Sequence, residues 1–260
     1  MKTVEYRLSI TRYEIEGIPL YVYAPLGNDS SQETISEALP LVVVLHGLNS
    51  RKENQLAFSL RLVNAGYRVC TLDLRGHGER RNEDTDFLRL HWSEPQFAPA
   101  IGRTIIGSVL DIVSVVSELG VDRYYIAGHS LGGHIALLTA LEDPRASAVC
   151  CIGGSLDLSA LPTDPDRPSD VVARYDPVRR ADALARKKVL LLHGVDDATV
   201  PITGAWRLWN AMETSGNLSL HSFFRTYPGI GHELAPVLMQ DCIEWLLALN
   251  SDSTPNFETL

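Results

Sequence analysis

Four stretches of the chain, at residues 41–45 (LVVVL), 124–127 (YYIA), 146–152 (ASAVCCI) and 188–193 (KVLLLH), are apolar almost without a break and rich in β-branched or aromatic residues. Such runs suit parallel strands buried on both faces. A fifth, 67–74, reads the same way, and 218–227 is expected to form a further strand. Between them lie segments with helical spacing: 53–65, which stops at Gly66; 101–119, with Ile105, Val109, Ile112, Val116 and Leu119 on one face; 201–213, with Pro201 in its first turn; and 233–249. Upstream, 4–15 and 18–24 alternate in polarity and meet at Glu16-Gly17, which predicts an antiparallel hairpin at a sheet edge. Strand and helix therefore alternate from 41 to 249. The expected fold is α/β, a mostly parallel, eight-stranded twisted sheet with helices on both faces.

The remaining segments are of other kinds. Residues 26–39 are polar and Ser-rich, a surface loop, and 79–99 is a long polar connection with embedded Phe87, Trp92 and Phe97, expected to cover one side of a cleft. Residues 153–186 carry several Pro and Asp, room for two short helices but not for a large cap domain. One domain over 1–249 and a loose tail over 250–260 complete the expected organisation.

Composition narrows the function classes. Hydrophobic residues at 45% and charged residues at 21% are ordinary globular usage. A net charge of -9, without a Lys/Arg block, argues against a nucleic-acid partner and against anionic membranes. Cys70, Cys150, Cys151 and Cys242 show no Cys-x-x-Cys spacing, so a reducing, cytoplasmic setting is expected. The N-terminal stretch has no apolar core of the kind a signal peptide carries, and no run of about 18 apolar residues predicts membrane insertion.

The strand at 124–127 strikes Gly128-His129-Ser130-Leu131-Gly132-Gly133 and leaves as a helix rich in Ala and Leu. This Gly-x-Ser-x-Gly pattern is a nucleophile elbow: a strained turn lifts the Ser130 hydroxyl above the sheet, and the crowding at 128 and 132 tolerates no Cβ. A serine hydroxyl needs a base, and His232 stands in the loop after the last strand. The imidazole in turn needs a carboxylate partner. Asp196 and Asp197 follow the strand at 188–193, and Asp157, after the preceding strand, is a rival acid. All these residues lie past strand ends, where open α/β sheets place their sites. His46, His77, His129 and His193 lack the His-x-x-x-His spacing of a helical metal site, and no metal is expected. Asp73 and Arg75 read as turn and ion-pair structure.

Five ordered segments, HGLNS, DLRGHGER, GHSLGG, HGVDDATVP and GIGHE, give the chain its resemblance to the α/β-hydrolases. More narrowly, it resembles single-domain bacterial serine esterases related to the catalytic domain of prolyl oligopeptidases. The resemblance runs from about 41 to 249 and implies Ser130, Asp197 and His232 as the catalytic triad. It also implies the backbone N–H groups of Leu131 and Leu48, with Gly47 as the alternative to Leu48, as the oxyanion hole, and it requires no cofactor. Trp92, Phe97, Leu156 and Ile230 are candidate pocket residues. The implied activity is cleavage of small to medium carboxylic esters through an acyl-enzyme. Short-peptide hydrolysis, thioester hydrolysis and a catalytically inactive binding role are the alternatives. Because free histidine titrates near ~6.5, activity of such a site should climb from about pH 6 to about 7.5.

Overall fold

The computed structural model describes residues 7–26, 38–91, 93–154, 175–251, 253–255 and 257. The hairpin forms first, β1 (Leu8–Ile15) with β2 (Ile18–Pro25), paired antiparallel from Leu8↔Pro25 to Ile15↔Ile18. β3 (Leu41–Leu45), β4 (Arg68–Leu72), β5 (Tyr124–His129), β6 (Ala146–Ile152), β7 (Lys188–Gly194) and β8 (Phe223–Tyr227) complete one eight-stranded sheet in the order β1-β2-β4-β3-β5-β6-β7-β8. β2 meets β4 antiparallel, and every pair from β4 to β8 is parallel.

The continuous apolar runs are explained by the two faces they serve. In β3, Leu41, Val43 and Leu45 enter the core on one side of the sheet, while Val42 and Val44 enter the core on the other. β6 and β7 divide in the same way: Val149 and Val189 point one way, Cys150 and Leu190 the other. α2 (Phe97–Glu118), α3 (Leu131–Glu142), α4 (Ala181–Ala185) and α5 (Thr203–Thr214) cover the first face, through residues such as Ile105, Ile135, Leu184 and Leu208. α1 (Leu56–Asn64) and α6 (Pro236–Asn250) cover the second with Phe58, Leu62, Cys242 and Trp245. All four cysteines are buried free thiols.

α3 is buried around its circumference, because it lies between the sheet and its neighbours α2 and α4. α2 is long and apolar enough by composition to cross a bilayer, yet 61% of that stretch is buried, and its apolar side is core.

Several parts of the chain differ from the sequence reading. α2 begins at Phe97, four residues before the predicted start, and takes up the end of the 79–99 connection. β8 is confined to Phe223–Tyr227; before it, Ser222 turns its hydroxyl to the Val189 N–H and Leu220 is 90% exposed. α6 starts at Pro236, where a missing N–H costs nothing in a first turn. Within the stretch expected to be loose, Asn250 donates to the Tyr67 hydroxyl at 2.8 Å and accepts from Tyr125, and Phe257 packs edge-on against Phe223. Most of 153–186 lies outside the described residues; its end supplies a short turn, Pro177–Arg180, and then α4.

Candidate active site

Ser130 joins β5 to α3 with φ 56 and ψ -123, one of three non-glycine residues at positive φ among those described. Such a conformation costs on the order of 1–3 kcal/mol and persists only where the surroundings fix it. Here the Ser130 N–H donates to Ile152 O at 2.8 Å, and Ser130 O accepts from His134 N at 3.1 Å. The elbow also needs close backbone packing: a Cβ on Gly128 would lie 2.2 Å from Gly132 O, and one on Gly132 would lie 2.5 Å from His46 O. Only glycine fits either position.

Across the end of the sheet, the loop after β8 brings the His232 imidazole back over this serine. His232 Nε2 is 2.8 Å from Ser130 Oγ, and Nδ1 is 2.7 Å from Asp197 Oδ2. An ionised carboxylate can only accept, so Nδ1 carries the proton and Nε2 presents its lone pair to the hydroxyl. The Asp197 side chain is 1% exposed and is fixed by two backbone donors, Thr199 N and Val200 N, at 2.9 and 2.8 Å from Oδ1. Asp196 faces elsewhere: its Oδ2 accepts from Gly229 N at 2.7 Å, and its own N–H donates to Ile230 O. It braces the turn that carries His232. The rival Asp157 lies outside the described residues.

Two further imidazoles surround the triad. The His129 ring lies against that of His232, with centroids 5.0 Å apart. Burial pushes His129 down to about 4, so it packs there as a neutral group. His193, also lowered by burial, sits with Nε2 at 2.8 Å from Val200 O, under the Asp197 loop.

The turn after β3 closes the other side. His46 accepts the Leu74 N–H on Nε2 at 3.1 Å, so its Nδ1–H donates to Gly47 O at 2.8 Å. Gly47 lies against the elbow, an added Cβ coming within 3.2 Å of Ser130 Cβ. Leu48 follows it directly, and Leu131 heads α3, where first-turn N–H groups lack acceptors within the helix. The turn is tied down by the fully buried Asp73, whose Oδ1 accepts the Lys52 N–H at 2.8 Å and whose Oδ2 accepts Lys52 Nζ at 2.7 Å and Glu79 N at 3.0 Å. Burial alone would raise the Asp73 carboxyl, but the Lys52 ammonium and these backbone donors hold it below the usual range. Arg75 pairs with Asp111 at 2.7 Å.

A cavity of ≈ 290 Å³ opens over Ser130 and His232, lined by Leu48, Gln55, His129 and Leu234 among others. Two expected pocket residues are elsewhere. Phe97 is buried in the core under α2, since its helix starts earlier than predicted, and Ile230 packs against the core of the opposite sheet face while its backbone serves the Asp196 turn. Trp92 and Leu156 lie outside the described residues. Gln55 and Leu234 carried no sequence signal, because each reaches the cavity only through the tertiary packing of its segment. Among the described residues, no group of three or more His, Cys, Asp or Glu side chains gathers as a metal site.

The arrangement can move a proton from the Ser130 hydroxyl to His232 while Asp197 balances the imidazolium charge. Comparison with known proteins agrees with the fold. Esterase YjfP of Escherichia coli is 25% identical over 246 residues, covering 88% of this chain and 94% of that protein. The crystal structure of TT1662 from Thermus thermophilus superposes with a TM-score of 0.73 at 22% identity, over 93% of this chain and 97% of the other. Pyrococcus horikoshii acylaminoacyl peptidase matches at 0.67 and 15%, over all of this chain but 43% of its own length. These two likenesses are of fold alone. Three other curated relatives are longer, and the chain spans 30%, 51% and 34% of their lengths. The family model described as Alpha/beta hydrolase family matches residues 42–256, and on that match the chain belongs to the alpha/beta hydrolase family.

Proposed function

We propose that the protein is a serine hydrolase that cleaves carboxylic esters of small to medium size through an acyl-enzyme. The observation that carries this reading is the continuous contact from Asp197 Oδ2 to His232 Nδ1 and from His232 Nε2 to Ser130 Oγ, at 2.7 and 2.8 Å. His232 takes the hydroxyl proton as Ser130 Oγ forms its bond to the ester carbonyl carbon. The resulting oxyanion is held by the N–H groups of Leu48 and Leu131. Collapse breaks the C–O bond to the alcohol, which leaves with the proton from His232. Water then gives a proton to His232 and attacks the acyl carbon, releasing the acid and restoring Ser130.

Ester rather than amide cleavage is supported by the E. coli relative, an esterase matched over nearly its whole length. The modest volume over Ser130 supports small to medium acyl groups. A panel of p-nitrophenyl esters, aminoacyl amides and acyl thioesters, assayed on the wild type and on Ser130→Ala, tests the reading. The expected result is fastest turnover of the esters and a loss of kcat on the order of 10⁴ or more in the variant. A fluorophosphonate probe should label Ser130 in the wild type. Unimpaired ester turnover by Ser130→Ala, or preferred turnover of amides, would overturn it.

A further inference from the structure

Next to the cavity over Ser130 lies a larger one of ≈ 510 Å³. The two share Ser50 and Asn54, which form the wall between them and bond to one another, Asn54 Nδ2 donating to Ser50 Oγ at 2.9 Å. The lining of the second cavity is polar and charged, with Arg51, Glu53, Glu79 and Arg81 around it. Its carboxylates are engaged more fully than its arginines. Glu79 is taken by Arg12 at 2.9 Å and by Lys52, and Glu53 by Lys52 at 3.1 Å, while Lys52 also neutralises Asp73 from below. Arg51 is only loosely engaged, its Nε 3.7 Å from Glu53, and Arg81 makes no ion pair among the described residues. Both lining carboxylates, Glu53 and Glu79, are thus engaged by cations, two of which, Arg12 and Lys52, do not line the cavity. Arg81 is therefore a lining cation with no ion pair among the described residues, beside the nucleophile of a chain whose net charge is -9.

We propose that this second cavity is a substrate subsite for a single anionic group, a carboxylate borne by the ester at a distance from its scissile carbonyl, with Arg81 as the principal cation, Arg51 as the second, and Asn54 and Ser50 as neutral contacts along the connecting wall. The inference rests on Ser130 being the nucleophile of an esterase. It adds that the preferred substrates are half-esters of dicarboxylic acids or esters of hydroxy acids rather than neutral esters. A monoanion suits the cavity better than a dianion, because Glu53 and Glu79 also line it and only Arg81 lacks an ion pair among the described residues. Arginine also suits a carboxylate through its planar pair of donors. Since Arg51 and Arg81 are exposed, the attraction is open to screening by salt.

Matched pairs of esters test the site. On the acyl arm, p-nitrophenyl hydrogen glutarate and adipate are compared with p-nitrophenyl valerate. On the alcohol arm, 3-butyryloxypropanoate is compared with propyl butyrate. The wild type should favour the anionic member of at least one pair in kcat/KM, and the arm on which it does so identifies the side of the ester that enters the cavity. In Arg81→Gln the anionic-to-neutral ratio should fall about tenfold, mainly through KM, and Arg81→Lys should recover part of it. High salt should reduce the wild-type ratio. An anionic-to-neutral ratio that is the same in wild type and Arg81→Gln, or a wild-type preference for the neutral ester on both arms, would overturn the subsite while leaving the esterase reading intact. Turnover of neither kind of ester would count against the esterase reading instead. The subsite is then decided by calorimetric titration with monomethyl glutarate: binding weakened about tenfold in Arg81→Gln supports it, and no binding to the wild type overturns it.

Discussion

At Asp197 a single carboxylate performs two tasks with two oxygens: Oδ1 takes the N–H groups of Thr199 and Val200, and Oδ2 takes His232 Nδ1. An amide in its place can present N–H where the imidazole needs an acceptor. Under the proposed mechanism, Asp197→Asn should lower kcat on the order of 10³–10⁴-fold with the far-UV circular dichroism unchanged. Asp196→Asn removes a charge that serves only the Gly229 turn and should cost less than about tenfold in kcat. Equal losses in the two variants would contradict the assignment of the acid. The elbow makes a prediction in the other direction, on stability. A methyl group at residue 132 would have to displace the backbone carbonyls of Leu45 and His46, neither of which is the end of a flexible side chain. Gly132→Ala should destabilise the fold by about 1–3 kcal/mol or prevent soluble expression, as read from the denaturant midpoint.

At the scale of elements, the turn after β3 is held in place by a buried ion pair. Asp73, just past the end of β4, clamps Lys52, just past the turn, and both side chains are inaccessible to solvent. Removing one member leaves the other charge buried and undercompensated, which costs about 3–5 kcal/mol. Asp73→Ala should lower the unfolding free energy by that amount, as read from denaturant titration. Since Leu48 lies in the clamped turn, the proposed oxyanion geometry should loosen too, lowering kcat more than it raises KM. This device was only partly visible in the sequence. Asp73 could be read as turn structure, but Lys52 stands just before the helix predicted at 53–65, in a polar stretch that gives no sign of burial. Its burial is imposed by carboxylates 21 and 27 residues further along the chain. The ends of α2 and β8 were misplaced for a related reason: Phe97 is drawn into a helix by the core it can reach there, and 218–222 is kept out of the sheet by the Ser222 side-chain bonds to Val189 and Lys187.

For the molecule as a whole, the buried histidines set the response to acid. Burial pushes His46, His129 and His134 each down to about 4, whereas in the unfolded chain they titrate near ~6.5. Between those values the unfolded chain binds protons that the folded chain refuses. The contribution to stability is therefore complete above about pH 6.5 and is lost as pH falls toward 4. The carboxyls of Asp73, Asp111 and Asp143 are lowered in the fold, burial being outweighed by Lys52, Arg75 and Arg145 respectively, and they add a further loss below their unfolded range near ~3.9. The thermal midpoint by calorimetry should decline steadily from pH 7 to pH 5, and a midpoint constant over that interval would show that these imidazoles are not held neutral.

The division between what the chain states and what the fold decides follows from the range of the forces involved. Apolar periodicity and glycine spacing are local, so β3, β6, β7, the Ser130 elbow and the order serine, aspartate, histidine could all be read before any coordinate. The choice between Asp196 and Asp197, the cavity lining of Gln55 and Leu234, and the place of Arg81 beside the second cavity depend on groups brought together from distant segments. His232 is 35 residues from its carboxylate and 102 from its hydroxyl, and only the twist and register of the assembled sheet can fix such distances to within a hydrogen bond.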